Sequence, residues 1–380
     1  MDPFNSRFIL KEKRWQWIDY DKGISIILVG YGHCYETLKD HGLALEQYPF
    51  LNYIGIFLYG FRMPLFFIVS GLIVAKSLNK KGFTTYVTDR VNNILYPLVI
   101  WGCIQVTLQI LMARYTHNGF TAVDYLNLII APRRTGIFWY LNALFCIGVI
   151  YAFLKIKLRV SNIAQVLLGL FFYVMSYFVR AYNAGAIVDI LEYYFFFALG
   201  DLLSALMQNK ENMQHFTTWK VAVPLLVLFL GLQFYATQIN LLATPAGMRN
   251  VEVNMPALFL VQALIGCCLS ICFSFFLQKY QLLTFLRVVG FHSLFIYCVQ
   301  IIVMTIVRTV GMSFLHITNV PALVIILWGS GIILPIFFYN FCLRYHLWWL
   351  YTYKKPKRHI EYIKTAKLFN LKPLGMQKAG

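Results

Sequence analysis

The stretch Lys22-Gly-Ile-Ser-Ile-Ile-Leu-Val-Gly-Tyr-Gly-His33 puts a cation and an imidazole at the two ends of an apolar run. Read as a helix crossing a bilayer, its eleven steps of about 100° turn through about 1100°, three turns plus about 20°, and rise about 16 Å. Lys22 and His33 then share one face at two depths. Ionisable side chains inside a membrane are costly, so those held there mark functional positions. Two on one stripe suggest a long, partly charged ligand lying along it.

The surrounding chain supports the membrane reading. Its 380 residues are 59% hydrophobic and 13% charged, with a mean hydropathy of +0.64. A soluble protein would carry about 25% charge. The apolar runs are about 20 residues long, the length of spanning helices, whereas barrel strands are about 10 residues and alternate. The expected fold class is all-α: a polytopic membrane bundle of about ten transmembrane helices. They lie over roughly 16–37, 53–78, 92–113, 137–156, 162–179, 184–207, 219–237, 256–277, 288–308 and 320–343. No repeat or Gly/Ser-rich linker divides it, so residues 1–345 read as one membrane domain and 346–380 as a basic tail. The first 13 residues are polar and lack a cleavable signal pattern, so the first span is expected to act as insertion signal and stay.

The net charge of +18 follows from topology. With the N-terminus cytoplasmic, most of the 33 lysines and arginines fall on the cytoplasmic side, including Lys11, Lys76, Lys80, Lys155, Lys210 and the tail beyond Arg344. Lys39, Arg114, Arg133, Arg134, Arg180, Arg249 and Arg308 fall outside. This asymmetry places both termini in the cytoplasm and needs an even number of spans. The basic tail adheres to anionic lipid on this reading, and no nucleic-acid partner is needed. His359–Leu371 carries a poor amphipathic signal. The eight cysteines lie in or beside spans without metal-ligand spacing, so neither a metal site nor disulfides are expected.

Several side chains carry chemistry in their own right. A neutral imidazole at His33 can take a hydroxyl proton or accept an acyl group; the plain alternative is polar glue between helices. Lys22 can pair with Asp19 three residues earlier, or meet anionic groups at the cytoplasmic mouth with Arg14 and Arg90. Arg62 enters the second span from outside to about the depth of His33 and needs a partner there. It can stabilise an oxyanion, keep His33 neutral, or pair with Glu36, Asp189 or Glu192. Pro64 beside it is expected to break the helix and free carbonyls. Trp139 and Tyr140 can stack on a sugar ring or anchor in the interfacial belt. Asp201 reads as structural.

Three ordered patterns together resemble acyltransferase family 3, the multi-span membrane O-acyltransferases of bacterial surface glycans. They are Arg14-Trp-Gln-Trp-Ile-Asp-Tyr-Asp-Lys22-Gly through Gly32-His33, then Phe61-Arg-Met-Pro-Leu-Phe-Phe-Ile-Val-Ser-Gly71, then Gly290-Phe-His-Ser-Leu-Phe-Ile-Tyr297. Phe138-Trp-Tyr-Leu141 is similar to a further aromatic signature. Relatives often have a second arginine where this chain has Asn93, a histidine at Arg62, and a histidine at Gln300.

The resemblance implies an acyl-CoA co-substrate, no permanently bound cofactor, and a glycan or glycolipid acceptor at the bacterial cytoplasmic membrane, with possible glycan-assembly partner proteins. It assigns His33 and Arg62 to catalysis, Arg14, Lys22, Arg90 and Asn93 to the donor, and Glu36, Trp139 and Tyr140 to the acceptor. The pantetheine arm would run from Lys22 to His33 along a face cleared by Gly23, Gly30 and Gly32, although these glycines also suit plain helix packing. The competing readings are an exporter that makes no bond, and an inactive scaffold for glycan assembly.

A fluorescent protein fused behind residue 355 is expected to fluoresce, and alkaline phosphatase at the same place to stay inactive. The reverse pattern would turn the orientation over.

Overall fold

In a bilayer each backbone N–H and C=O must be satisfied within the protein, so an apolar chain of this kind folds into helices. In this computed structural model the described residues are 4, 6–11, 15–39, 43, 45–116, 119–209, 214–242 and 249–355. Among them the elements are α1 (Ser6–Lys11), α2 (Gln16–Lys39), α3 (Pro49–Phe57), α4 (Tyr59–Arg90), α5 (Tyr96–Thr116), α6 (Asp124–Ile130), α7 (Pro132–Thr135) and α8 (Trp139–Ile156). They continue with α9 (Asn162–Arg180), α10 (Ala186–Gln208), α11 (Trp219–Leu242), α12 (Asn250–Asn254), α13 (Pro256–Tyr280), α14 (Phe285–Phe291), α15 (Ser293–Thr309) and α16 (Val320–Arg344).

Among the described residues eight helical stretches are long and apolar enough to cross a membrane: Pro49–Leu78, Lys80–Met112, α8, α9, α11, α13, Ser293–Phe314 and Val320–Arg344. Helices α2 and α10, of 24 and 23 residues, match them in length but carry more ionisable groups. Together these ten occupy the stretches read from the sequence. Arg14 and the segment His359–Leu371 lie outside the described residues.

Local chemistry sets the ends. Ser161 Oγ accepts the Ala164 N–H at 3.2 Å to cap α9, and Asn319 Oδ1 accepts the Ala322 N–H at 2.9 Å to cap α16. Pro49, Pro132 and Pro256 occupy first turns, where a missing N–H costs nothing. Pro64 does not break α4, contrary to the sequence expectation; the helix runs through it. The Phe61 carbonyl three residues earlier accepts a hydrogen bond from Cys267 Sγ at 3.6 Å. The departure from helical geometry comes at Gly82, whose φ of 72° suits a residue without a Cβ.

Small residues bring the inner helices into backbone contact. A Cβ on Gly290 of α14 would stand 1.8 Å from the Asp19 carbonyl oxygen of α2, and one on Gly23 would stand 2.2 Å from that of Leu286. Gly71 of α4 and Gly200 of α10 form a second crossing, at 2.0 and 2.1 Å from opposing carbonyls. Lipid offers no hydrophobic drive between helices, so close packing of this kind holds them. The outward faces of α9 and α11 present Leu167, Phe171, Val174, Val227 and Phe234 to the surroundings. Between α4, α8, α10 and α15 the centre is aromatic, built from Phe66, Phe67, Tyr140, Tyr193 and Tyr297.

Gly290→Val is expected to lower stability by about 3 kcal/mol or more, because the opposing atom is backbone and cannot rotate aside. Gly231→Ala, with open space around it, should be neutral. Unfolding of the purified protein in detergent measures both; equal effects would refute the tight crossing.

Candidate active site

Helix α2 is continuous from Gln16 to Lys39, so Lys22 and His33 do share a face. Ile26 and Val29 lie between them on that stripe and are 0% and 1% exposed, so it points into the bundle. His33 sits near the end opposite Lys22. Its Nδ1 lies 3.3 Å from Glu36 Oε2, one helical turn on. An ionised carboxylate only accepts, so Nδ1–H donates, and in the neutral ring this leaves the lone pair on Nε2. Glu36 was expected at the acceptor; the structure puts it on His33, with a side chain still half exposed.

Arg62 comes to the same place from α4. It is 4% exposed, donates from Nη1 to the Leu28 carbonyl at 3.2 Å, and lies over the Tyr59 ring at 4.8 Å. Its Nη1 is 2.2 Å from where a Cβ on Gly32 would be, so the guanidinium fills the notch left by the glycine beside His33. Neither Asp189 nor Glu192 is its partner. Asp189 accepts from Arg133 at 2.6 Å and Glu192 from Arg180 at 2.6 Å. His33, Glu36 and Arg62 therefore converge.

Around them lies a charged cluster that the sequence reading did not find. Arg133 of α7 reaches Asp189 and, at 3.4 Å, Glu252 of α12. Arg249 binds the same Glu252 at 2.7 Å, and the Tyr59 hydroxyl donates to it. Charge counting had treated Arg133 and Arg249 only as markers of sidedness; the sequence hint was the Arg249/Glu252 spacing of three. Burial pushes the Glu252 carboxyl up, but the Arg249 and Arg133 guanidinia outweigh it and hold it down at about 2.

Other expected site residues are placed differently. Tyr140 is a core residue, with Phe66, Phe67 and Tyr297 around it at 5.3 to 5.4 Å, which leaves no open face for a sugar. Trp139 is partly buried, with the Arg133 guanidinium 4.0 Å from one ring and Tyr193 at 5.4 Å. Arg90 turns into the bundle over Gly148, donating to the Tyr86 hydroxyl at 2.8 Å and to the Leu144 carbonyl, with the Phe197 ring 5.7 Å away. A desolvated guanidinium takes partners inside the protein, and so it does not line an open mouth with Lys22. Asn93 is exposed and accepts from Asn92 at 2.9 Å. Asp201 binds Tyr151 and Lys155, a structural tie between α8 and α10.

The glycine-lined face is also corrected. Gly23 is closed by the α14 backbone and Gly32 by Arg62; both serve packing. At Gly30 the nearest atoms stand 3.6 to 3.7 Å from a would-be Cβ, an ordinary contact.

A family model described as an acyltransferase domain matches residues 15–353. The chain is 31% identical over 221 residues to "Nodulation protein NolL" of Sinorhizobium fredii (strain NBRC 101917 / NGR234), covering 54% of each. Over 92 residues it is 35% identical to "Nodulation protein NolL" of Mesorhizobium japonicum (strain LMG 29417 / CECT 9101 / MAFF 303099), covering 24% of each. The chain thus spans about half the length of the first of these curated relatives and about a quarter of the second. No solved structure matches.

Because the folded value of Glu252 lies below the ordinary 4.5, its carboxylate contributes stability above that pH and loses it as pH falls toward about 2. Glu252→Gln should cost about 3–5 kcal/mol at neutral pH by leaving Arg249 unpaired and Arg133 with Asp189 as its one remaining carboxylate. It should also flatten the fall in melting temperature between about pH 4.5 and 2. An unchanged slope would contradict the assigned ion pairs.

Proposed function

Because the chain belongs to the acyltransferase family, we propose that it is a membrane-integral O-acyltransferase, carrying an acyl group, most simply acetyl, from cytoplasmic acyl-CoA to a hydroxyl of a glycan or glycolipid. The observation that carries this is the convergence of His33, Glu36 and Arg62 at one end of an inward-facing stripe that holds Lys22 at the other. The acceptor class and the site at the bacterial cytoplasmic membrane rest on the family resemblance.

His33 Nε2 takes the proton of the acceptor hydroxyl as its oxygen attacks the thioester carbonyl carbon. The carbon–sulfur bond breaks, the new ester leaves on the acceptor, and the thiolate takes the proton back from the imidazolium. Glu36 fixes the ring by holding Nδ1–H and stabilises the imidazolium while it lasts. Arg62, desolvated beside Gly32, supplies positive charge toward the oxyanion that develops at the carbonyl. Lys22 at the basic end meets donor phosphates as a point charge. Arg14 stays a candidate for the same role, whereas the inward fixing of Arg90 makes it a support of the bundle.

Transfer of radiolabelled acetyl from acetyl-CoA by purified protein tests this. His33→Ala is expected to lower kcat by about 10²–10⁴-fold, and Glu36→Gln by a smaller factor with the KM for donor little changed. Equal label transfer by wild type and His33→Ala, or transfer by neither, would overturn the reading.

A further inference from the structure

Gln300 of α15 is 0% exposed, and neither its Nε2 nor its Oε1 has a hydrogen-bond partner. An amide buried with both ends unmade is strongly disfavoured and calls for a partner. Its place is specific: Oε1 stands 3.6 Å from the Cβ position of Gly30, about one turn of α2 below His33 toward Lys22. The nearby donor, the Trp328 indole N–H, is already used on the Ile27 carbonyl at 2.8 Å. Neighbours on the same face fix α15 in place: Arg308 donates to the Thr37 carbonyl of α2 at 3.2 Å, and Met304 fills the notch at Gly331 of α16. Rotating Gln300 away would break that face.

Ser25 gives a second, independent sign. Its Oγ is fully buried and also without a partner. Ser25 lies about 60° to one side of the Lys22–His33 line and Gly30 about 60° to the other, some 7.5 Å apart along the axis. Unmet polar groups thus flank the stripe between cation and imidazole.

A group that answers both Nε2 and Oε1 must itself both accept and donate, which is the pattern of a secondary amide. A thioester carbonyl or an ether only accepts. We propose that Gln300 is the positioning residue that pairs with an amide of the donor's pantetheine arm, and so sets how far the thioester reaches toward His33. This rests on the acyl-CoA reading of the site and adds to it a named recognition element.

The test compares two donors on detergent-purified full-length protein: the acetyl thioester of N-acetylcysteamine, which has one amide, and ethyl thioacetate, which has none. In wild type the amide donor should be favoured in kcat/KM. Gln300→Leu and Gln300→Met should lower that preference by about tenfold or more, acting on the amide donor and sparing the other. Damage to folding would lower both donors alike and leave the ratio unchanged, which would overturn the proposal; two variants guard against one failing to fold. Wild-type protein inert with both thioesters and with acetyl-CoA would remove the acyl-CoA reading, and Gln300 with it. Active wild type with an unchanged ratio would remove Gln300 alone.

Discussion

The bundle is organised around the backbone of α2. A helical carbonyl has two lone pairs and uses one on the N–H four residues on; the other remains. Within a bilayer no water reaches it, and buried side-chain donors have nowhere better to go. Three of them end there from three helices: Trp328 on Ile27, Arg62 on Leu28 and Arg308 on Thr37. At the other end Gln278 accepts the Trp17 N–H at 2.8 Å, and Gly290 brings α14 onto the Asp19 carbonyl. These ties fix both the rotation and the depth of α2, which a hydrophobic contact surface in lipid would not do. His33 inherits that precision, which the catalytic role proposed for it would require.

The ionisable groups divide by what surrounds them. Asp189, Glu192 and Glu252 are buried but each faces an arginine, so these contacts join α4, α7, α9, α10 and α12 at one end of the bundle. Removing one member would strand the rest, so such a cluster specifies an arrangement more than it adds stability. His33 and Glu36 differ, because they keep partial exposure, 15% and 51% at the side chain. His33 is therefore reachable from outside the bundle, while Arg62 behind it is sealed. The proposed acyl transfer would use the two in that arrangement, a reachable base beside a shielded cation.

The spans were legible because bilayer thickness writes itself into the length of apolar runs, and their edges match α8, α9 and α13 within a few residues. The shared face of Lys22 and His33 followed from helical period alone. Two things were not legible. Charge counting says on which side Arg90, Arg133 and Arg249 lie but not which way they turn; Arg90 turns inward because Gly148 opposite leaves room, a pairing 58 positions apart in sequence. The roles of the glycines were hidden for the same reason. A stripe of Gly23, Gly30 and Gly32 reads as space, yet space is decided by the opposing helix, and Leu286 and Arg62 occupy two of the three positions.

That difference among the glycines constrains any path along α2. At Gly23 and Gly32 the neighbours press to 2.2 Å of an added methyl, and backbone and guanidinium are there to stay. At Gly30 they are side chains of Gln300, Trp328 and Ile332 at 3.6 to 3.7 Å, in ordinary contact rather than pressed into the notch. Ile26 and Val29 fill the direct line between Lys22 and His33. On the acyl-CoA proposal, an arm approaching His33 from the basic end would meet the looser packing along the seam of α2 with α15 and α16, beside Gln300, whose two buried polar ends are both unmet.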